Sequence, residues 1–249
     1  MTRIVVTGAS GQLGRPTADA LRARGLDVTG VTSSGGAGLT RVDLFDPAAT
    51  GAALEAGDVV VHAATTNGTR DVKMAENLFA AASANNVAHL VVISIVGIDR
   101  IPIPFYRDRV RIEEVALASG VPVTILRATQ FHSFVDRFFT AQRLSPVLVA
   151  PSLLLQPIAV GEVAARLAEL ATQPPAGRAA DIGGPAARSG RELLAAWRSA
   201  TGSRRPVLPV RLPGALGAAY RAGAALVPGP PFGVGTFEEY LSATHRSAR

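Results

Sequence analysis

The sequence predicts an α/β fold, a doubly wound parallel sheet whose C-terminal part builds a wall over one end of the strands. Two observations carry this. Through the first half, short apolar runs alternate with helical patterns, the signature of parallel strands joined by crossover helices. A glycine-rich turn also lies directly between the first apolar run and the first helical pattern. The length of 249 residues, 48% hydrophobic, suits one large domain spanning 1–249, with a core over about 1–128 and an extension over about 129–249.

The elements follow in order. Arg3–Thr7 reads as the first strand, and 12–24 as a helix ended by Gly25, a residue that leaves a helix at positive φ. Strands at 27–31 and 39–42 precede a helix opened by Asp46 as N-cap and Pro47 at the first helical position. A strand at 58–62, a helix at 70–84 and an almost wholly apolar strand at 89–95 come next; the last is patterned for burial on both faces. A helix at 105–119 stops at Gly120, and 122–127 is the sixth strand. Beyond it the alternation loosens. Helices are expected at 131–142, 160–172, 190–201, 214–225 and 237–243. Extended pieces are expected at 147–150 and 156–158, a last strand at 179–182, and a proline-interrupted edge segment at 206–213.

Composition excludes several classes. A chain with 18% charged residues and a mean hydropathy of +0.26 is too apolar to be disordered. Its aliphatic runs are interrupted before the roughly 20 residues a membrane span needs, and the first residues lack the apolar core of a secretion signal, so the chain reads as soluble and cytoplasmic. No cysteine is present, hence no disulfide, cysteine nucleophile or thiolate metal site, and no metal is expected. The net charge of +6 arises entirely after residue 172, from dispersed arginines without interleaved aromatics, so a nucleic-acid partner is not expected. A small-molecule substrate is. The chain holds a single lysine, Lys73.

The turn Thr7-Gly8-Ala9-Ser10-Gly11-Gln12-Leu13-Gly14 closes a strand and opens a helix. Glycines there admit unusual φ values and let backbone N–H groups approach a pyrophosphate, while the helix N-terminus adds its positive dipole end. This makes the sheet Rossmann-type, with a dinucleotide as the expected ligand. The spacing Gly-x-x-Gly-x-x-Gly resembles the extended and atypical branches of the short-chain dehydrogenase/reductase superfamily, and more narrowly the NmrA-like, NAD(P)H-binding group. The likeness runs nearly end to end. It includes Asp43-Leu44-x-Asp46, Val61-His62-Ala63-Ala64, Ser94-Ile95-Val96-Gly97-Ile98-Asp99, Leu126-Arg127-Ala128-Thr129-Gln130-Phe131-His132, Gln156-Pro157-Ile158 and Thr236-Phe237-Glu238-Glu239-Tyr240-Leu241.

The resemblance implies roles. Gly8, Ser10, Gly11, Gln12, Leu13, Gly14 and Arg15 would cradle the cofactor phosphates. Asp43 and Leu44 would flank the adenine, Ala63, Ala64 and Thr65 would line the cofactor near its ribose, and the backbone around Thr129 and Gln130 would meet the nicotinamide amide. An acid after strand two would bind the ribose 2′-hydroxyl and repel a 2′-phosphate. Here Thr32, Ser33 and Ser34 stand in its place, and Arg15 is close in sequence to the turn, so NADP (NADPH) is favoured over NAD.

Standard members of the superfamily reduce carbonyls with a Ser, a Tyr and a Lys four residues after the Tyr. Four places beyond Tyr106, Tyr220 and Tyr240 stand Val110, Ala224 and Thr244, so the pair is absent; Phe105 and Arg109 occupy the matching positions. Arg109 is expected on the nicotinamide ribose, or on a carboxylate such as Asp108 or Glu113 if it turns outward. The resemblance then implies an NAD(P)H-dependent oxidoreductase without the standard acid. Ser94, Tyr106, His132 and water are its candidate proton sources, while Val96, Phe131 and Phe134, with Phe138 and Phe139, are a candidate apolar substrate wall. His62 is expected to be structural. Two other readings stand beside this one: a non-catalytic NAD(P)H sensor that binds a partner protein, and a non-redox isomerase or cyclase on the same fold.

Overall fold

The computed structural model describes residues 2–246. Its first compact unit comprises residues up to Ser94, then Pro104–Arg127 and Val160–Ala180. Seven parallel strands run through it: β1 (Arg3–Thr7), β2 (Asp27–Thr32), β3 (Leu39–Arg41), β4 (Val59–His62), β5 (His89–Ile95), β6 (Val123–Ala128) and, further along the chain, β9 (Gly177–Arg178). Their order in the sheet is β3-β2-β1-β4-β5-β6-β9. Strand order therefore reverses between β1 and β4, where Thr7 pairs with His62. A crevice at the carboxyl ends of strands is the usual ligand site at such a switch point. This is the Rossmann-type doubly wound sheet that the sequence predicts.

The helices cover both faces as the periodicity requires. One apolar side of α1 (Gly14–Arg22) packs on α6 (Val160–Leu170), and α2 (Pro47–Ala52) and α4 (Pro104–Ala118) pack on α3 (Asp71–Ala84). Between α2, α3, α4 and the sheet lies a core of Val5, Val60, Phe79, Leu90, Val92 and Ile125, each almost completely buried. Asp46 caps α2 as expected, its Oδ1 accepting from the N–H groups of Ala48 (2.9 Å) and Ala49 (3.2 Å).

The second unit comprises Ile95–Ile103, Ala128–Ala159 and the residues from Asp181 onward. It contains α5 (His132–Thr140), β7 (Leu148–Pro151), β8 (Leu154–Leu155), β10 (Arg188–Ser189), α7 (Gly190–Thr201), β11 (Val207–Val210), α8 (Gly214–Arg221) and α9 (Phe237–Arg246). The expected edge segment at 206–213 is β11, paired in parallel with β7. Asp136 fastens three helices: its carboxylate accepts from Trp197 Nε1 (2.9 Å) on α7 and Tyr240 Oη (3.2 Å) on α9, and lies 3.1 Å from His245 Nε2.

Two expectations change. The seventh strand is Gly177–Arg178, opposite Thr124 and Ile125, in place of the expected 179–182, of which Ile182 makes an isolated bridge to Ala128. The stretch 160–180, read from sequence as part of the extension, belongs to the first unit, because the amphipathic face of α6 has α1 to cover it.

Candidate functional site

The glycine turn is built so that no side chain can replace the hydrogens of Gly8 and Gly14. Gly8 has φ +66°, and a Cβ there would stand 2.7 Å from Ala64 Cα; a Cβ on Gly14 would stand 2.2 Å from the Gly8 carbonyl oxygen. The turn therefore presses against the loop after β4. Ser10, Gly11 and Gln12 are exposed, and α1 begins with no side-chain cap and no acid in its first turn. The orphan N–H groups at such an end suit an anion. Arg15 is exposed beside them. Leu13 is buried, so its backbone alone is available.

At the end of β2 the hydroxyls form a chain, Ser10 Oγ to Thr32 Oγ1 at 2.9 Å and Thr32 Oγ1 to Ser34 Oγ at 3.3 Å. Thr32 is in register with Arg41 on β3, and the Arg41 stem lies against Gly35. Linear reading missed this exposed arginine, because strand pairing across the loop 33–38 places it beside the hydroxyls. Asp43 is exposed, with Oδ1 accepting from Phe45 N at 2.9 Å. Leu44 differs from expectation: its side chain is in the hydrophobic core, and its carbonyl accepts from Asn77 Nδ2 at 3.1 Å. Only its backbone could meet an adenine.

After β4, Ala63 and Ala64 are half-buried and Thr65 is exposed. Below them His62 is buried, its Nδ1 2.9 Å from Thr7 Oγ1 and its ring edge-on to Phe79. Burial, reinforced by the Arg109 charge, pushes its pKa down to about 4, so it is neutral and structural as expected. Arg109 does not turn outward and pairs with neither Asp108 nor Glu113. It is 8% exposed, its Nη2 donates to Asp71 Oδ2 and to Thr65 Oγ1 (3.1 Å), and its guanidinium carbon sits 4.7 Å from the Phe105 ring centre. Burial raises the pKa of Asp71, but the Thr65 and Thr66 hydrogen bonds and the Arg109 charge outweigh it and hold the carboxyl below its ordinary range. No sequence motif marks Asp71; its burial at the start of α3 does.

Ser94, next to last in β5, is 4% exposed, and its Oγ has no hydrogen-bond partner of ordinary geometry among the described residues. It is near the buried Glu113, which Arg127 grips through Nε and Nη2, both at 2.8 Å, and Arg178 through Nη1 at 2.7 Å. Burial opposes ionisation of Glu113, yet the Arg127 hydrogen bonds, the Ser94 hydroxyl and the two cations keep its pKa low. Tyr106 is buried, with its ring centre 6.2 Å from that of Phe105.

In the second unit Thr129 Oγ1 donates to Gln156 O (2.5 Å), and the backbone of Gln130 and His132 pairs with Ile158. The motif Gln156-Pro157-Ile158 thus fixes the segment after β6. The buried Gln130 amide has neither atom partnered among the described residues. His132 is a packed residue here, buried against Phe237 and Tyr240 with Nε2 3.0 Å from Pro157 O. Val96 is fully buried and has no surface to offer a substrate. The phenylalanines divide: Phe139 is core, Phe131 half-buried, Phe134 and Phe138 exposed.

A family model described as NAD(P)H-binding matches residues 8–174. The chain belongs to this NAD(P)H-binding family. Among curated proteins nothing matched. Among solved structures, an NADPH-dependent quinone oxidoreductase from Escherichia coli complexed with NADPH superposes with a TM-score of 0.80 at 19% identity, over 96% of this chain and 99% of that one. A nucleoside-diphosphate-sugar epimerase from Staphylococcus aureus gives 0.77 at 20%, over 97% and 100%. The Citrobacter sp. triphenylmethane reductase complexed with NADP(H) gives 0.68 at 18%, over 99% and 89%. At these identities the likeness is one of fold. The family's ligand fits what is present: a turn whose Gly8 and Gly14 admit no side chain, an uncapped helix end and a hydroxyl chain in register with an arginine. Among the described residues no helix is long and apolar enough to cross a membrane, and no three His, Asp or Glu side chains cluster as a metal site.

Proposed function

We propose that this protein is an NADPH-preferring reductase of the atypical short-chain type, NmrA-like in its motifs and cytoplasmic. Its substrate would be a small apolar molecule bearing a carbonyl, enone or quinone. The observation that carries this reading is Ser94: a buried hydroxyl at the end of β5, beside Glu113 but with no hydrogen-bond partner of ordinary geometry among the described residues, in a fold of the NAD(P)H-binding family. When bound, the reduced nicotinamide supplies the hydride. Ser94 would donate to the substrate oxygen as negative charge develops there, and the arginine-held Glu113 would keep the floor beneath it rigid. With Tyr106 buried and His132 packed in its aromatic cluster, water takes over as the proton source behind Ser94.

Support for NADPH over NADH comes from the end of β2, which carries hydroxyls and no acid, with Arg41 exposed in register with Thr32 and Arg15 exposed in the first turn of α1. A purely binding role, as a sensor of the reduced cofactor, is favoured by one observation: Phe105 and Arg109 stand where the proton-donating pair would be, and Arg109 is already tied to Asp71. Steady NADPH oxidation against a panel of quinones, ketones and enones decides between them. The reductase reading expects turnover with at least one class, and Ser94→Ala should lower kcat on the order of 10²-fold. Tight NADPH binding with no turnover on any class supports the sensor instead.

A further inference from the structure

A buried ion pair near the glycine turn, Asp71 with Arg109, has no part in the hydride step. Asp71, 1% exposed, receives Thr65 Oγ1 at 2.5 Å, Thr66 N at 2.7 Å, Thr66 Oγ1 at 2.6 Å and the Arg109 Nη2. All the accepting capacity of a carboxylate is used, so Asp71 is fixed and in turn fixes the guanidinium. Arg109 lies over the Phe105 ring, which restricts its plane. Its Nε is buried, yet has no acceptor among the described residues. A donor kept dry and unpaired is a standing cost to the fold, and a bound ligand that accepts from it would remove that cost. The cluster is also placed for a ligand. Thr65 follows Ala64, the residue against which the Gly8 backbone is pressed, so Arg109 is anchored one residue from the floor of the glycine turn.

Charge indicates the kind of acceptor. Asp71 cancels the Arg109 charge, leaving a neutral cluster that is a poor partner for a phosphate but a good fixed donor for a hydroxyl. The geometry points to Asp71 as a positioning residue that, with Thr66 behind it, holds the Arg109 Nε ready for a hydroxyl of the nicotinamide-side ribose. The inference rests on the NAD(P)H reading above and extends it to a residue that touches no ligand itself.

Fluorescence titration with two ligands tests it: NADPH, and adenosine 2′,5′-bisphosphate, which has no nicotinamide ribose. Asp71→Asn should raise the Kd of NADPH about tenfold and leave that of the bisphosphate within about twofold, with Arg109→Ala behaving alike. The double variant should be no weaker than Arg109→Ala alone, because Asp71 acts through the arginine. Thr66→Val, an exposed change that loosens Asp71 without removing a charge, should give a smaller loss of about threefold on NADPH only. It decides the matter if circular dichroism shows Asp71→Asn unfolded. An unchanged NADPH Kd in the folded variants, an equal loss on both ligands, or an additive double variant overturns the positioning role and leaves a structural ion pair. A wild-type protein that binds neither ligand overturns the cofactor reading, and this inference with it.

Discussion

At residue scale, the turn's glycines serve different ends. Gly8 is required by the backbone itself, since φ +66° and the 2.7 Å approach to Ala64 Cα leave no room for a methyl group. Gly8→Ala should therefore destabilise the fold by about 2 kcal/mol or more, read as a fall in Tm of roughly 5 °C or more. Gly11 is exposed and has ordinary φ; a Cβ there meets only the Gly8 carbonyl oxygen, at 3.0 Å. Gly11→Val should cost less stability than Gly8→Ala yet abolish NADPH binding, because the branched side chain occupies the space a pyrophosphate needs. A Gly11→Val protein that binds NADPH normally would place the phosphates elsewhere. These two roles were legible as one motif in the sequence; only the distances separate them.

At the scale of elements, pairing and helix faces decide what position in the chain cannot. The β2–β3 pair sets Arg41 opposite Thr32, which leads to a cofactor test with two arms. Arg41→Ala and Arg15→Ala should each weaken NADPH binding about fivefold and leave NADH unchanged, the scale for an exposed cation facing a phosphate. Equal affinity of the wild type for both cofactors would contradict the preference. The four phenylalanines along 131–139 look alike in sequence. Phe139, 2% exposed and 6.0 Å from Trp197, is core, whereas Phe134 is 51% exposed. Phe139→Ala should cost about 3–5 kcal/mol in urea unfolding and Phe134→Ala under about 0.5 kcal/mol. A substrate-wall role for Phe134 would then show only in KM.

For the whole molecule, buried ionisable groups tie stability to pH. His62 titrates at about 4 when folded, because burial and then the Arg109 charge disfavour its cation, and near 6.5 when unfolded. The unfolded chain takes the proton first, so this contribution is intact above about pH 6.5 and is lost as pH falls toward 4, by about 3 kcal/mol in all. Burial lowers His89 as well, adding in the same direction. Asp71 and Glu113, both held below their ordinary pKa values, add a separate loss at lower pH, as they become protonated. Urea midpoints between pH 7 and 5 should thus fall in the wild type and fall less in His62→Gln, the difference being about 2 kcal/mol. Parallel slopes would mean that His62 carries a proton in the fold.

By itself the sequence determined the parallel sheet, the place of the glycine turn, the helix capped by Asp46 and the absence of the Tyr–Lys pair. These are local or periodic properties: strand burial repeats along the chain, a positive φ asks for glycine, a helix start asks for a capping oxygen, and a missing residue type is visible by inspection. Tertiary structure alone decided that Leu44 and Val96 are core, that His132 is enclosed by Phe237 and Tyr240, that Arg41 stands beside Thr32 and that Asp71 holds Arg109. Each of these depends on which distant segment arrives next to a side chain. Asp71 and Arg109 are 38 positions apart, and no pattern within either helix encodes the other; what joins them is the packing of α3 against α4.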